Sequence, residues 1–288
     1  MPRTPQFIIS ESSIKAFFRG QDEKVFTEAQ LRETFQIRRG LWNLPLTMTP
    51  EKFVDRLVNR GVLTREEIFF EGYMGRKERF MVEGASPFEV AVSLKPRAYL
   101  SHYTAVYLNG LTTQVPKVIY TSYEQTPKLH VGDDLTQSDI DAAFAQPQRK
   151  AGSRAQYKDY TIVLLNPKNT GHIGVIYADN LPVTGPERTL IDIAVRPAYA
   201  GGVQSVLDAY QRALPEISMN KLLATLATMD FIYPYHQAIG FYLERAGCES
   251  KKMEELRSMP RHFDFYLTYE MKDTAYSNEW NLYYPKGM

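Results

Sequence analysis

Two groups of side chains in this sequence have types and spacings that could carry chemistry. The first lies within residues 49–61. Coiled as a helix, this run places Phe53, Val54, Leu57 and Val58 on one stripe and Glu51, Lys52, Asp55, Arg56, Asn59 and Arg60 on the other. Arginine and asparagine are the side chains that form paired hydrogen bonds with guanine and adenine edges in a DNA major groove. Arg38, Arg39 and Trp42 stand shortly before this run, and Arg76, Lys77 and Arg79 stand on or beside a turn-rich segment at 72–77. Cations there would meet phosphates or a minor groove. The plainer reading is a solvated helix face and a charged turn, and Glu51 and Asp55 on the same face weigh toward it.

The second group is Asp264 with Glu270-Met-Lys272. An acid followed by Glu-x-Lys is a nuclease-like pattern, in which two carboxylates hold a divalent metal and the lysine orients a water. The alternation of Phe263, Phe265, Leu267 and Tyr269 fits an ordinary half-buried strand instead. Arg149, Lys150 and Arg154, in a polar segment at 146–154 read as a mobile loop, are a possible partner or second nucleic-acid contact. Arg188 belongs with them, although Arg188, Asp192 and Arg196 also recur at helical i, i+4 spacing and would form a charged ladder. His102, His130, His172, His236 and His262 are scattered, and none pairs with a second His or Cys at metal-ligand spacing. No phosphate-binding loop, dinucleotide fingerprint or nucleophile elbow occurs. The reading is therefore non-enzymatic, with no catalytic residue, metal or cofactor assigned.

The elements that would position these groups follow from local signals. Residues 10–19 read as a helix, and Thr27 caps a second one that buries Leu31 and Phe35. Thr49 caps the third, with Pro50 in its first turn and Gly61 as its stop. Strand-like runs at 67–70 and 79–82 flank the turn-rich tip. Three helices followed by a hairpin outline a winged helix-turn-helix. Residues 86–97 read as a joint between domains. Beyond it come a helix at 101–109 and strands at 117–121, 160–165 and 171–177, the last two joined by 166–170. Four helices follow, of which the first has Thr184 and Glu187 at capping-box spacing; the others lie near 202–214, 217–229 and 234–246. A final hairpin pairs 263–270 with 279–284. The expected fold class is α+β: a winged helix-turn-helix at 1–95, then a larger α+β domain at 96–288 with mixed strands and a C-terminal helical cluster.

Composition sets limits. At 288 residues and 44% hydrophobic content, two domains with ordinary cores are available. There is no apolar run of membrane-spanning length, and Met1-Pro-Arg-Thr-Pro-Gln6 lacks the apolar stretch of a secretory signal. The lone cysteine, Cys248, suits a reducing cytoplasm. The net charge of +1 argues against indiscriminate polyanion binding but not against a local basic patch. The chain has nineteen tyrosines, placed heavily after residue 98. Tyr233, Tyr235, Tyr242, Tyr266, Tyr283 and Tyr284 could line a docking surface, core packing being the commoner role for such side chains.

Several stretches together resemble one family. They are Tyr99-Leu-Ser-His-Tyr-Thr-Ala-Val-Tyr-Leu-Asn-Gly-Leu111, Thr184-Gly-Pro-Glu-Arg-Thr-Leu-Ile-Asp-Ile-Ala-Val-Arg-Pro-Ala-Tyr-Ala-Gly-Gly202, Tyr233-Pro-Tyr-His-Gln-Ala-Ile-Gly-Phe-Tyr-Leu-Glu-Arg-Ala-Gly247 and the tail motifs Phe263-Asp-Phe-Tyr-Leu-Thr-Tyr269 and Trp280-Asn-Leu-Tyr-Tyr-Pro-Lys-Gly287. They are similar to the AbiEi antitoxins of AbiE-type toxin–antitoxin and phage-resistance operons. That resemblance implies a winged-helix domain on double-stranded operator DNA, autorepression, and a second domain needed to neutralise a nucleotidyltransferase-type toxin, with or without direct contact. Two other readings stay open: a DNA-processing enzyme with a nuclease-like second domain, and a winged-helix transcription factor with no toxin partner.

Overall fold

The computed structural model describes residues 6–71, 75–127, 135–149 and 152–288. In chain order its elements are α1 (Gln6–Arg19), β1 (Val25–Phe26), α2 (Glu28–Arg38), α3 (Pro50–Asn59), β2 (Thr64–Phe70), β3 (Arg76–Met81), α4 (Pro87–Ser93), β4 (Tyr99–Leu100) and α5 (His102–Leu108). Then come β5 (Val118–Ser122), α6 (Gln137–Phe144), β6 (Ser153–Tyr157), β7 (Tyr160–Leu165), β8 (Val175–Ala178), β9 (Leu181–Thr184), α7 (Pro186–Val195), α8 (Val203–Ala213), α9 (Met219–Met229) and α10 (Tyr235–Arg245). Short α11 (Glu254–Ser258) and strands β10 (Phe265–Tyr266), β11 (Thr274–Ser277) and β12 (Leu282–Pro285) complete the chain. The class is α+β. No helix among the described residues is long and apolar enough to cross a membrane.

The chain divides into two units, one of Met1–Ala98 with Gly152–Ile162 and one of Tyr99–Ala151 with Val163–Met288. In the first, α1 to α3 enclose a core of Phe7, Ile14, Phe18, Leu31, Phe35, Trp42, Phe53, Val54 and Leu57. Burying aliphatic and aromatic side chains of this size contributes roughly 1.5–3 kcal/mol each. The caps that sequence places at Thr27 and Thr49 form: Thr27 makes a reciprocal box with Gln30, and the Thr49 hydroxyl accepts from the Lys52 amide. Gly61 ends α3 with φ +62°, a conformation that costs a side-chain-bearing residue energy. The strands of this unit run β1-β3-β2-β6, all antiparallel, with Phe69 opposite Arg76 on one side and opposite Gln156 on the other.

Two segments differ here from the sequence reading. Residues 86–97, expected as a joint, contain α4, opened by a capping box between Ser86 and Glu89. Arg154, expected in a mobile loop of the second domain, sits in β6 within the first unit, where its carbonyl accepts from the Glu71 amide. Alternate burial of Ala155 and Tyr157 drives that strand onto β2.

In the second unit α7 is surrounded. Every residue from Glu187 to Ala194 is buried, against α5, α8, α9 and α10. The capping box expected between Thr184 and Glu187 is absent: Gly185 takes the cap position, and the Thr184 hydroxyl bonds that of Thr189 at 2.9 Å. A wholly buried helix must satisfy its polar groups through tertiary partners, so Glu187 accepts from the Ser218 amide and pairs with Lys221 at 2.8 Å.

Strand pairing in this unit also departs from expectation. β8 forms a hairpin with β9, which pairs in parallel with β4, and β4 runs antiparallel to β5. In the tail, β12 pairs antiparallel with β11 and parallel with β10, so 263–270 does not form a simple hairpin with 279–284. Tyr235 and Tyr242 are core residues, and Tyr233, Tyr266 and Tyr284 pack against that core. Gly240 lies under Trp280: a Cβ there would stand 2.1 Å from the indole ring.

Candidate nucleic-acid interface

Helix α3 separates its side chains cleanly. Phe53 and Leu57 are fully buried and Val58 packs at the margin of the core, whereas Lys52, Arg56 and Asn59 are exposed. The Arg56 guanidinium itself lies over the Phe7 ring of α1, 5.7 Å from its centroid, on an exposed side chain.

Three of the four flanking charges are held by ion pairs at the surface, with Glu11 the most covered partner. Glu51 pairs with Arg32 at 2.8 Å, Arg60 with Glu11 at 2.6 Å, and Asp55 with Arg65 at 3.2 Å. The Glu51 carboxyl is held below its ordinary range by its own backbone N–H at the helix start, then by the Thr49 hydroxyl, with Arg32 adding attraction. The Glu11 carboxyl is likewise lowered, by Lys15 first and Arg60 second. These pairs neutralise the acids that sequence set against DNA contact, and solvent-screened pairs of this kind exchange readily.

The cations ahead of α3 are half-buried. Arg38 lies over the Phe17 ring at 4.1 Å; Arg39 donates to the Pro45 carbonyl at 2.9 Å and lies over Phe35. Both are fixed as much by packing as by charge. Trp42 is buried and stacks on Phe53, so it supports the helix from within.

The hairpin sorts its side chains by parity. On one face stand Arg65, Glu67 and Phe69 of β2 with Arg76, Glu78 and Phe80 of β3; on the other stand Ile68 and Phe70 with Lys77, Arg79 and Met81. Arg76 is exposed at the tip and pairs with Glu67 at 2.9 Å, while Lys77 projects from the opposite face. Arg79 does not reach the surface. It is 7% exposed, and its guanidinium donates to the Ser93 hydroxyl and carbonyl and to the Glu78 carbonyl. Burial lowers its pKa. Its assignment as a DNA contact is corrected: Arg79 joins the hairpin to α4. Residues 72–74 of the tip lie outside the described residues.

Sequence reasoning also passed over residues on this surface. Arg65 bridges Asp55 and Glu78 and lies over Phe80. Phe69 is 61% exposed.

The residues set aside for a partner are not brought together. Lys150 lies outside the described residues. Arg149 is exposed, and its carbonyl accepts from Arg196 and Tyr199. Arg188 is 3% exposed, bonded to Asp192 at 2.8 Å, to the Ile173 carbonyl and to Thr170. Its role as a surface contact is corrected to that of a buried anchor. Glu124 beside it accepts from Tyr99, from the Thr170 amide and hydroxyl and from the His172 amide. Burial pushes the Glu124 carboxyl up, but the Thr170 hydroxyl and amide and the His172 amide together hold it below its ordinary value.

Asp264 and Glu270 also stand apart in environment. The Asp264 carboxylate accepts from the Tyr276 hydroxyl at 2.5 Å, and Glu270 is exposed with φ +50°. No cluster of three or more His, Cys, Asp or Glu suited to a metal occurs among the described residues.

Comparison with known proteins places the fold and no more. No protein-family model matches the chain, and no curated protein matches it. Among solved structures it is similar to the crystal structure of the RV2827C protein from Mycobacterium tuberculosis, with a TM-score of 0.57 and 14% identity, over 96% of this chain and 91% of that one.

Proposed function

We propose that this chain is a cytoplasmic, non-enzymatic DNA-binding antitoxin that represses its own AbiE-like operon. In this reading the first unit is a winged helix-turn-helix, α3 is its recognition helix, and the β2–β3 hairpin is its wing. The observation that carries the proposal is the division of α3: a stripe sunk in a three-helix core and an opposite face with Lys52, Arg56 and Asn59 exposed. Base edges are read by Arg56 and Asn59, while Lys52 and Arg76 position the duplex through phosphates. The toxin partner, a nucleotidyltransferase, follows from the motif resemblance after residue 98, and neutralisation is assigned to the second unit. The nuclease-like alternative has less support, because the Asp264 carboxylate is taken up by Tyr276.

Two arms test this. A reporter driven by the DNA upstream of this reading frame should be silenced by the wild-type chain and released by Arg56→Ala. Co-expression with the neighbouring reading frame should restore growth that the neighbour alone arrests. Repression unaffected by Arg56→Ala removes the recognition-helix assignment. A neighbour that does not arrest growth, or an arrest that co-expression fails to relieve, removes the antitoxin assignment.

A further inference from the structure

Strand β6 reaches the hairpin from more than seventy residues further along the chain, and its register places two polar side chains beside the wing. Phe69 is opposite Gln156 and Phe70 is opposite Ala155, and the Glu71 amide donates to the Arg154 carbonyl at 2.8 Å. Side chains alternate along a strand, so Arg154 and Gln156 share the face of Phe69 and Arg76, while Ala155 and Tyr157 share the face of Ile68 and Phe70. The burial pattern agrees. Ala155 and Tyr157 are buried, the Tyr157 hydroxyl against the Met81 sulfur, whereas Gln156 is exposed and Arg154 half-buried.

The shared face changes character along its length. At its base Phe80 is buried in the core with Phe53 and Leu57, and Arg65 reaches across to Asp55 on α3. Toward the tip the same face opens, leaving Phe69 61% exposed between Arg76 of β3 and the β6 pair. This is therefore the side of the hairpin that α3 meets, through Asp55.

We infer that the DNA-facing surface is completed by β6: Arg154 and Gln156 lie with Phe69 and Arg76 on one exposed patch that takes the sugar–phosphate edge of the same duplex α3 reads. The inference rests on the proposed DNA-binding reading and extends it to residues outside the first hundred. The aromatic ring supplies an apolar contact for deoxyribose, the two guanidinium groups supply counter-charge to phosphates, and the Gln156 amide, which gives one N–H to the Thr161 hydroxyl at 3.0 Å, has a second N–H to offer as a neutral donor. Two acids share this face: Glu67, paired with Arg76 at 2.9 Å, and exposed Glu71, opposite Arg154; contact with phosphate would exchange the first pair and draw Arg154 away from the second acid.

The test is fluorescence anisotropy with the full chain on a duplex from its own upstream region, across a salt series. Arg154→Ala should weaken binding about three- to tenfold and reduce the slope of log affinity against log salt by about one. Arg154→Lys should retain the slope, and Phe69→Ala should weaken binding without changing it. Circular dichroism establishes that each variant is folded. Wild-type slope and affinity in Arg154→Ala, Gln156→Ala and Phe69→Ala, alongside a large loss in Arg56→Ala, overturn this inference and leave the recognition helix standing. A wild-type chain that does not bind the duplex overturns both.

Discussion

Arg65 of the hairpin and Asp55 of α3 lie 3.2 Å apart, guanidinium to carboxylate, and this pair ties the two parts of the proposed DNA surface together. The same guanidinium lies over the buried Phe80 ring, so the tie is anchored in the core. Asp55 is an exposed acid on the solvent face of α3. Asp55→Ala should leave the melting temperature nearly unchanged, since exposed pairs contribute about 0–1 kcal/mol. It should tighten duplex binding by roughly two- to fivefold by freeing a cation. Differential scanning fluorimetry and anisotropy read the two effects separately; weaker binding in this variant would contradict the account.

Arg188 and Asp192 form a buried pair in a helix that nothing exposes. Removing one partner strands the other charge in a low-dielectric site, at a cost of about 3–5 kcal/mol. Arg188→Ala should therefore lower the urea midpoint of the chain markedly. A near-neutral effect would show that Arg188 is not the anchor of the 170–174 segment.

Gly240 admits no side chain, because its Cβ would fall 2.1 Å from the Trp280 ring. Gly240→Ala should destabilise by at least about 1–3 kcal/mol through overpacking. Trp280 fluorescence during denaturation reports the change, and an unshifted transition would contradict the close approach of helix and indole.

His102 gives the chain a pH dependence whose sign is fixed. Burial first, then Arg196 and Arg188, push its imidazole down from 6.5 to about 3; it also meets Ser101, Tyr120 and Tyr199. The folded state thus keeps His102 neutral where the unfolded state takes up a proton. Its contribution is complete above pH 6.5 and is lost as pH falls from there toward 3, with a slope of about 1.4 kcal/mol per pH unit. Between pH 7 and pH 5, His102→Gln should lose less stability than the wild type in urea titrations. Parallel pH profiles would place the effect on other groups.

Helix α3 was legible because its signals are local. Thr49, Pro50, the stripe at 53, 54, 57 and 58, and Gly61 lie within thirteen residues, and each forms what its type favours. Helices α8 to α10 were legible for the same reason. What escaped was non-local. Arg79 reads as a surface cation until α4 supplies Ser93, and α4 itself was announced only by the Ser86…Glu89 spacing. Arg188 and Asp192 keep helical spacing whether exposed or buried, so their pattern could not reveal that four helices close over them. β6 has only two apolar residues in its alternation, too few to mark a strand without its partner β2. The exposed Phe69 carried no signal either, since a strand residue facing solvent and one facing a core have the same neighbours in sequence.

The central claim is that α3 reads bases, and specificity tests it most directly. Anisotropy titrations at fixed salt should compare the upstream duplex with a scrambled duplex of equal composition, for wild type, Arg56→Ala and Asn59→Ala. The account predicts a loss of about five- to a hundredfold on the upstream duplex, as expected for a lost base contact, and a much smaller loss on the scrambled one. Equal losses on the two duplexes, or none on either, would contradict it.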